Sequence, residues 1–340
     1  MKFDCIVVGA GLTGLSSARY LADKGYKVLI FEQSNVIGGL CREEYFKNTR
    51  YSLYGPHIFH TNSRTVWDFL SRFTEWIEYT HIVKSFCGGK LWSVPIDYTE
   101  VLDNEWGKHI LYSNLYLDYS KKMWGPYYND VYKSTLSRLS QTGSQKTDIR
   151  YFTDKYQGLP SEGYNAMMQK MIDIQTISIT LHSDFDIDYV DRDTPVIYTG
   201  RIDKLLGNTE LPFQTVKFRY DFYSKFQWSD KYSVINFPQD YDFIRAHSSK
   251  MLYQQDTKHD ITCFEYPGET GPECYPLLYP ESQAIYTETF FKVTEKYPHV
   301  IPAGRAGSFK YVDMDDAVLE GIQAAEKVMK VKQLIKRSLL

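Results

Sequence analysis

Residues 3–32 constrain the fold more than any other part of the chain. Residues 3–8 (FDCIVV) form a short apolar run that suits a buried parallel strand. Gly9, Gly11 and Gly14 follow in G-x-G-x-x-G spacing, Leu12 and Thr13 open a segment with Leu15, Ala18 and Leu21 at helical intervals, and residues 27–31 (KVLIF) read as a second strand ending in Glu32. Each part has a mechanical reason. Gly9 permits a tight turn, Gly11 lets the backbone approach a pyrophosphate, and Gly14 lets the helix lie close on the strand. The helix N-terminus offers free N–H groups and the positive end of its dipole to phosphate. Glu32, with Gln33 beside it, stands where a carboxylate accepts hydrogen bonds from an adenosine ribose. A lone glycine fingerprint is weak, but the whole strand–turn–helix–strand–acid unit predicts a dinucleotide site on a Rossmann-like α/β domain.

The rest of the chain sets limits on what else it can be. Its 340 residues suit two or three domains, and 43% hydrophobic residues can bury a sizeable core. The net charge of -3 gives no basic excess and argues against a nucleic-acid partner. Five cysteines, an odd number without C-x-x-C spacing, suggest neither a disulfide framework nor a zinc site, and a reducing, cytoplasmic setting is expected. His57 and His60 have no Cys or carboxylate cluster next to them, so no metal is expected there. The opening MKFDCIVVGAG runs straight into glycines and reads as a strand rather than a signal peptide, and no membrane span is expected. The 29 tyrosines supply flat apolar area with a hydroxyl at one end, which suits a site that stacks on a ring and hydrogen-bonds a sugar or phosphate. Residues 81–95 read as a hairpin turning at Gly88-Gly89, and residues 113–124 as one amphipathic helix carrying Tyr119 and Trp124.

Two further segments bear on the cofactor. After Glu32 a short loop leads to Gly38-Gly39-Leu40, which resembles the flavoprotein group that includes the amine oxidases, where a Gly-Gly backbone runs beside FAD. Near the C-terminus a strand leads to Ala303-Gly304-Arg305, and Asp313 and Met314 open an Ala-rich helix. This looks like the closing FAD motif of the same group, with the helix N-terminus aimed at the flavin. The resemblance therefore implies FAD.

Six stretches in order resemble the bacterial-type UDP-galactopyranose mutase family. They are Tyr54-Gly55-Pro56-His57-Ile58-Phe59-His60-Thr61, Trp124-Gly125, Asp154-Lys155-Tyr156-Gln157-Gly158-Leu159-Pro160, Ile197-Tyr198-Thr199-Gly200-Arg201-Ile202-Asp203, Val234-Ile235-Asn236-Phe237 and Phe309-Lys310-Tyr311-Val312-Asp313-Met314. The resemblance implies a redox-neutral isomerisation of UDP-galactopyranose and UDP-galactofuranose. In that family FAD works reduced: its N5 attacks the anomeric carbon, UDP leaves, the ring opens and recloses through another hydroxyl, and UDP returns. By position in the motifs, Arg138 and Arg245 match the diphosphate-clamping arginines, while Tyr151, Tyr275 and Tyr311 match phosphate-contacting tyrosines. Tyr119 matches the uracil-stacking Tyr, Trp124 lines the galactose end, Phe152 packs against the uridine ribose, and Asn236 joins the substrate set. His57 is expected close to the flavin.

The resemblance further implies a reductant partner such as NAD(P)H or a reduced flavin donor, and allows a homodimer. It divides the chain into an FAD-binding domain (1–66, 159–210 and 300–340), a helical insert (98–150) and an antiparallel β-sheet domain (67–97 and 211–299). The chain departs from the family between Pro95 and Trp124, where a longer helical stretch is usual; those helices contribute to the mobile loop over the substrate and to subunit contacts. The competing expectation is an FAD-dependent oxidoreductase of the amine-oxidase type, which has no need of a diphosphate clamp. A binding protein without turnover is the other.

Overall fold

The structure is a computed structural model that describes residues 2–97, 112–131, 150–208, 210–223, 228 and 231–338. Its first sheet grows from the N-terminal unit. Strands Cys5–Val8 and Val28–Phe31 lie parallel, joined through helix Leu12–Ala22. Ile177–Thr180 adds on the Val28–Phe31 side, while Val196–Tyr198 and Val300–Pro302 add on the other, and every pairing is parallel.

A parallel sheet must be covered on both faces, so its helices are drawn tightly onto it. Leu15, Ala18 and Leu21 are wholly buried, as their helical spacing predicts. Burying a leucine side chain stabilises by roughly 1.5–3 kcal/mol. The helix packs along the C-terminal helix Met314–Ser338 and against Tyr164–Ile172. Two glycines make this approach possible: a Cβ on Gly14 would stand 1.9 Å from the Gly9 carbonyl oxygen, and one on Gly321 would stand 2.4 Å from that of Thr13.

The second sheet has seven strands in the order Glu273–Pro276, Phe213–Asp221, Thr262–Pro267, Arg245–Ser248, Val234–Asn236, Val83–Cys87, Lys90–Val94. It is antiparallel except where Val234–Asn236 meets Val83–Cys87. Those two strands lie far apart in sequence, so no hairpin dictates their direction. The hairpin read in residues 81–95 forms between Val83–Cys87 and Lys90–Val94, with Gly88 and Gly89 at φ 60° and 76°.

Residues 113–124 differ from the single helix expected. A π-helical turn, Ser113–Leu117, runs into the α-helix Asp118–Trp124, which Gly125 ends at φ 56°. Lys122 on this helix donates to the carbonyls of Phe237, Tyr241 and Phe243, tying the helix to the loop between Asn236 and Arg245.

Two histidines lie between these elements. Burial pushes His57 down to about 4, with Arg305 adding to the effect. Burial pushes His81 down to about 3, reinforced by Arg245 and His60. In the unfolded chain both titrate near about 6.5. Between that value and the folded values the unfolded state binds more protons, so stability rises with pH there. The contribution is complete above about pH 6.5 and is lost as pH falls towards the folded values. Since each pKa unit is about 1.4 kcal/mol, acidification from pH 7 to 4 should lower the unfolding free energy by several kcal/mol. Urea titrations across that range would read it, and a midpoint that stays level contradicts the assignment.

Candidate active site

The C-terminal ends of the parallel strands converge on one edge, where open α/β sheets bind ligands. Gly9 follows Val8 there, Glu32 follows Phe31, Thr199 follows Tyr198 and Gly304 closely follows Pro302. Above this edge lies a cleft of about 290 Å³. Leu40, His57, Arg305, Asp313 and Met314 line it from the first sheet's side, Tyr119 and Trp124 from the short helix, and Asn236, Arg245 and Glu265 from the second sheet.

The glycines of the fingerprint divide into two kinds. Gly9, at φ 97°, would drive a Cβ to 2.2 Å from Thr199 Oγ1, so the protein's own packing demands glycine there and at Gly14. Gly11 is different. Its φ of -79° suits any residue, and the nearest atom to an added Cβ is Gly39 Cα at 3.9 Å. Gly11 and Gly39 therefore face each other across a gap that a Cβ on Gly39 would narrow, its nearest neighbour being Gly11 Cα at 3.1 Å. The helix beginning at Leu12 has no side-chain cap. An uncapped helix end beside paired glycines fits a dinucleotide pyrophosphate.

Glu32 Oε2 accepts from the Ala10 N–H at 2.7 Å, and its Oε1 accepts from the backbone and hydroxyl of Ser34. The acid thus braces the glycine turn, while Gln33 is exposed beside it. Leu12 and Thr13 are buried, and a Cβ on Gly304 would meet Thr13 Oγ1 at 2.9 Å. Arg305 donates to the carbonyls of Cys274 and Val312 and lies over the rings of Tyr275 and Tyr311. Those two rings stack on each other at 5.4 Å, and Trp124 stands edge-on to Tyr275. Arg305 is in this way a brace for the tyrosine pair.

Arg245 is the cation that the second sheet brings to the cleft, 25% exposed. Its Nη2 donates to the Tyr119 hydroxyl at 2.6 Å, and its Nε to Asn236 Oδ1 at 3.3 Å. Burial opposes its charge, but Glu265, with Oε2 at 3.7 Å from Nη1, and the surrounding Tyr119, Tyr275 and Tyr151 together outweigh that and hold the guanidinium firmly protonated. Burial raises the pKa values of Tyr119, Tyr151 and Tyr275, so these hydroxyls remain proton donors. Phe152 lies between His60, stacked at 3.7 Å, and His81 at 5.5 Å, with Tyr151 edge-on.

Of the residues singled out in the sequence, Leu40, His57, Tyr119, Trp124, Tyr151, Phe152, Asn236, Arg245, Tyr275, Arg305, Tyr311, Asp313 and Met314 share this one cleft. Arg138 lies outside the described residues, as does most of the insert 98–150. Sequence reasoning did not find Glu265, a 5% exposed carboxylate in the cleft wall. It also found no carboxylate for His60, yet Asp154 meets His60 Nδ1 at 3.0 Å and is held by Asn62. Among the described residues no group of three His, Cys, Asp or Glu could hold a metal ion, and no helix is long and apolar enough to cross a membrane. All five cysteines are buried and free.

Comparison with known proteins bears on the family and the fold. Residues 7–73 match the model of the NAD(P)-binding Rossmann-like domain, and residues 114–311 match that of UDP-galactopyranose mutase. The chain is 27% identical to the probable UDP-galactopyranose mutase of Klebsiella pneumoniae, over 95% of this chain and 94% of the relative. It is 29% identical to the UDP-galactopyranose mutase of Mycoplasma pneumoniae, over 96% of each. It is also 25% identical to the dTDP-fucopyranose mutase of Escherichia coli, over 96% of this chain and 98% of the relative. Among solved structures, a reduced UDP-galactopyranose mutase shares the fold at TM-score 0.74, 14% identity and coverage of 97% and 96%. A putrescine oxidase shares it at TM-score 0.58 and 12% identity, covering 96% and 99%. The matched model spans more than half of the chain, and the residues it covers include the short helix, the strands bearing Asn236, Arg245 and Glu265, and the tyrosine pair: the chain belongs to the UDP-galactopyranose mutase family.

Proposed function

We propose that this enzyme binds FAD and, with the flavin reduced, interconverts UDP-galactopyranose and UDP-galactofuranose without net redox change. The observation that carries the reading is that Leu40, Asp313 and Met314, next in sequence to the expected dinucleotide segments, line the same cleft as Arg245, a cation suited to a second, smaller diphosphate. An amine oxidase has no use for such a clamp. The putrescine oxidase likeness is one of fold, and a fold supports many chemistries.

In this reading Gly9, Gly11, Gly14 and Gly39 surround the FAD pyrophosphate, Glu32 addresses the adenosine ribose, and the start of helix Met314–Ser338 with Asp313 faces the ribityl chain and flavin. The segments 1–66, 159–210 and 300–340 make up the cofactor domain, 98–150 is the insert, and 67–97 with 211–299 is the roof. Reduced FAD would supply a nucleophilic N5 for the anomeric carbon while the nucleotide is detached. Its electrons would come from a reductant such as NAD(P)H or a reduced flavin donor.

The protein's own part is electrostatic and positional. As the bond from sugar to diphosphate breaks, negative charge grows on the leaving nucleotide. Arg245, pre-aimed by Tyr119 and Asn236, meets that charge with N–H groups that make no hydrogen bond among the described residues. Arg138 is assigned as its companion. Guanidinium suits this role because it is always charged and matches phosphate geometry. Tyr151, Tyr275 and Tyr311 add neutral donors around the same anion. Tyr119 offers its ring to the uracil, Phe152 its face to the ribose, and Trp124 closes the sugar end. His57, neutral down to about pH 4, packs near the flavin without adding a positive charge of its own. The dTDP-fucopyranose mutase relative supports a nucleotide-linked pyranose as the substrate class. The matched family model and the more similar relatives favour the uridine nucleotide and galactose.

Three outcomes test this reading. Purified protein reduced with dithionite should convert UDP-galactofuranose to UDP-galactopyranose, and the oxidised protein should not; conversion independent of reduction would rule out the flavin role. Arg245→Ala and Arg138→Ala should each lower kcat/KM by about 100-fold or more while flavin absorbance per protein is retained; activity near wild type in both would remove the clamp. Gly11→Ala should leave the melting temperature of the cofactor-free protein unchanged but abolish flavin retention, whereas Gly14→Ala should fail to accumulate as folded protein. Equal behaviour of the two variants would contradict the division drawn between those glycines.

A further inference from the structure

The second sheet presents an ordered row of side chains to the cleft. Cross-strand pairing sets Asn236 opposite Arg245, Arg245 opposite Glu265 and Glu265 opposite Phe218. Residues paired directly across strands share a face. Asn236, Arg245 and Glu265 all reach the cleft. The first two are engaged with each other and with Tyr119. Glu265 is not comparably engaged. Its Oε1 is sealed inside the sheet with His247 Nδ1 3.8 Å away, whereas its Oε2, the oxygen that is not sealed, has Arg245 Nη1 at 3.7 Å and accepts no hydrogen bond among the described residues. Burial works to raise its pKa, yet Arg245 foremost, with His247, more than offsets this and keeps it ionised. A carboxylate that is 5% exposed, charged and without a full set of donors is costly unless something else supplies them.

The position of Glu265 indicates what that donor is. On one side stands Arg245, the assigned holder of the diphosphate. On the other stands the Gly55–His57 segment, assigned to the flavin: a Cβ on Gly55 would come within 3.3 Å of Glu265 Oε1. A sugar joined to the diphosphate and presenting its anomeric carbon to the flavin must occupy the space between the two. The donors a hexose brings are hydroxyl groups. We infer that Glu265 is a substrate-binding residue, whose carboxylate accepts a hydrogen bond from a hydroxyl of the hexose and so selects for that hydroxyl. This rests on the function proposed above and adds to it the residue that reads the sugar.

The test needs no residue of the diphosphate clamp to be altered. UDP, UDP-galactose and the analogues of UDP-galactose that each lack one hydroxyl are titrated into the flavin-loaded wild type and into Glu265→Gln, which keeps the side-chain shape. A hydrogen bond to a charged acceptor amounts to about a ten- to hundredfold change in binding. One analogue should therefore bind the wild type at least about tenfold more weakly than UDP-galactose does, and bind Glu265→Gln within about threefold of the parent. UDP alone should bind the variant as tightly as the wild type, or more tightly once the carboxylate next to Arg245 is neutral. If no analogue loses affinity in the wild type, or the variant keeps the wild-type selectivity, Glu265 does not read the sugar. If UDP and UDP-galactose weaken in parallel in the variant, Glu265 acts on Arg245 instead and the inference falls. A wild type that isomerises UDP-galactofuranose while either result holds leaves the function intact and removes only this role; a wild type that neither binds UDP nor isomerises the sugar removes both.

Discussion

The cleft depends on keeping one guanidinium partly sunk in protein yet turned towards a ligand. Arg245 cannot lose its proton, so its surroundings must make the charge tolerable without exhausting its donors. They do this from three strands or helices at once. Asn236 takes the Nε proton from the neighbouring strand, the Tyr119 hydroxyl takes one from Nη2, and Glu265 balances the charge from the strand on the other side. Glu265 does so at 3.7 Å rather than through a tight two-pronged pair, which leaves Nη1 for an incoming phosphate. A closer ion pair would stabilise the empty protein and blunt the clamp.

Around this centre the scaffold works mainly to hold distances. Lys122 gathers three backbone carbonyls of the loop between Asn236 and Arg245, so the helix bearing Tyr119 and Trp124 cannot move independently of the strand bearing Arg245. Arg305 performs a similar task on the opposite wall, bridging two backbone carbonyls beneath the stacked rings of Tyr275 and Tyr311. On the cofactor side Glu32, at the end of strand Val28–Phe31, accepts from the glycine turn that follows the neighbouring strand Cys5–Val8, bracing that loop from within the protein. Charged residues that sequence reading assigns to ligands thus also stiffen the walls around them.

Local patterning carried a large part of this architecture. The N-terminal unit, the hairpin at Gly88-Gly89 and the strand before Gly304 are short-range structures, written in neighbouring residues. The one local reading that changed was the segment 113–124, where a π-helical turn precedes the α-helix. Apolar spacing sees a helix there but not its pitch, because the extra residue in the wider turn shifts the faces without altering composition. Glu265 escaped notice for another reason. In sequence it is an acid in an alternating strand, and nothing nearby marks it as facing a cation. The same holds for Asp154, which meets His60 across many intervening residues.

Residue order alone is enough to show a dinucleotide unit near the N-terminus, the residues of a mutase-like site in sequence, and where the glycine turns fall. Those are matters of spacing along the backbone. Only the tertiary structure decided which glycines serve the protein's own packing and which leave room for a ligand, which arginine faces the cleft and which braces its wall, and that a carboxylate stands beside Arg245. These depend on strand register and on contacts between segments far apart in the chain, and register arises from the packing of whole sheets rather than from any local pattern of residues.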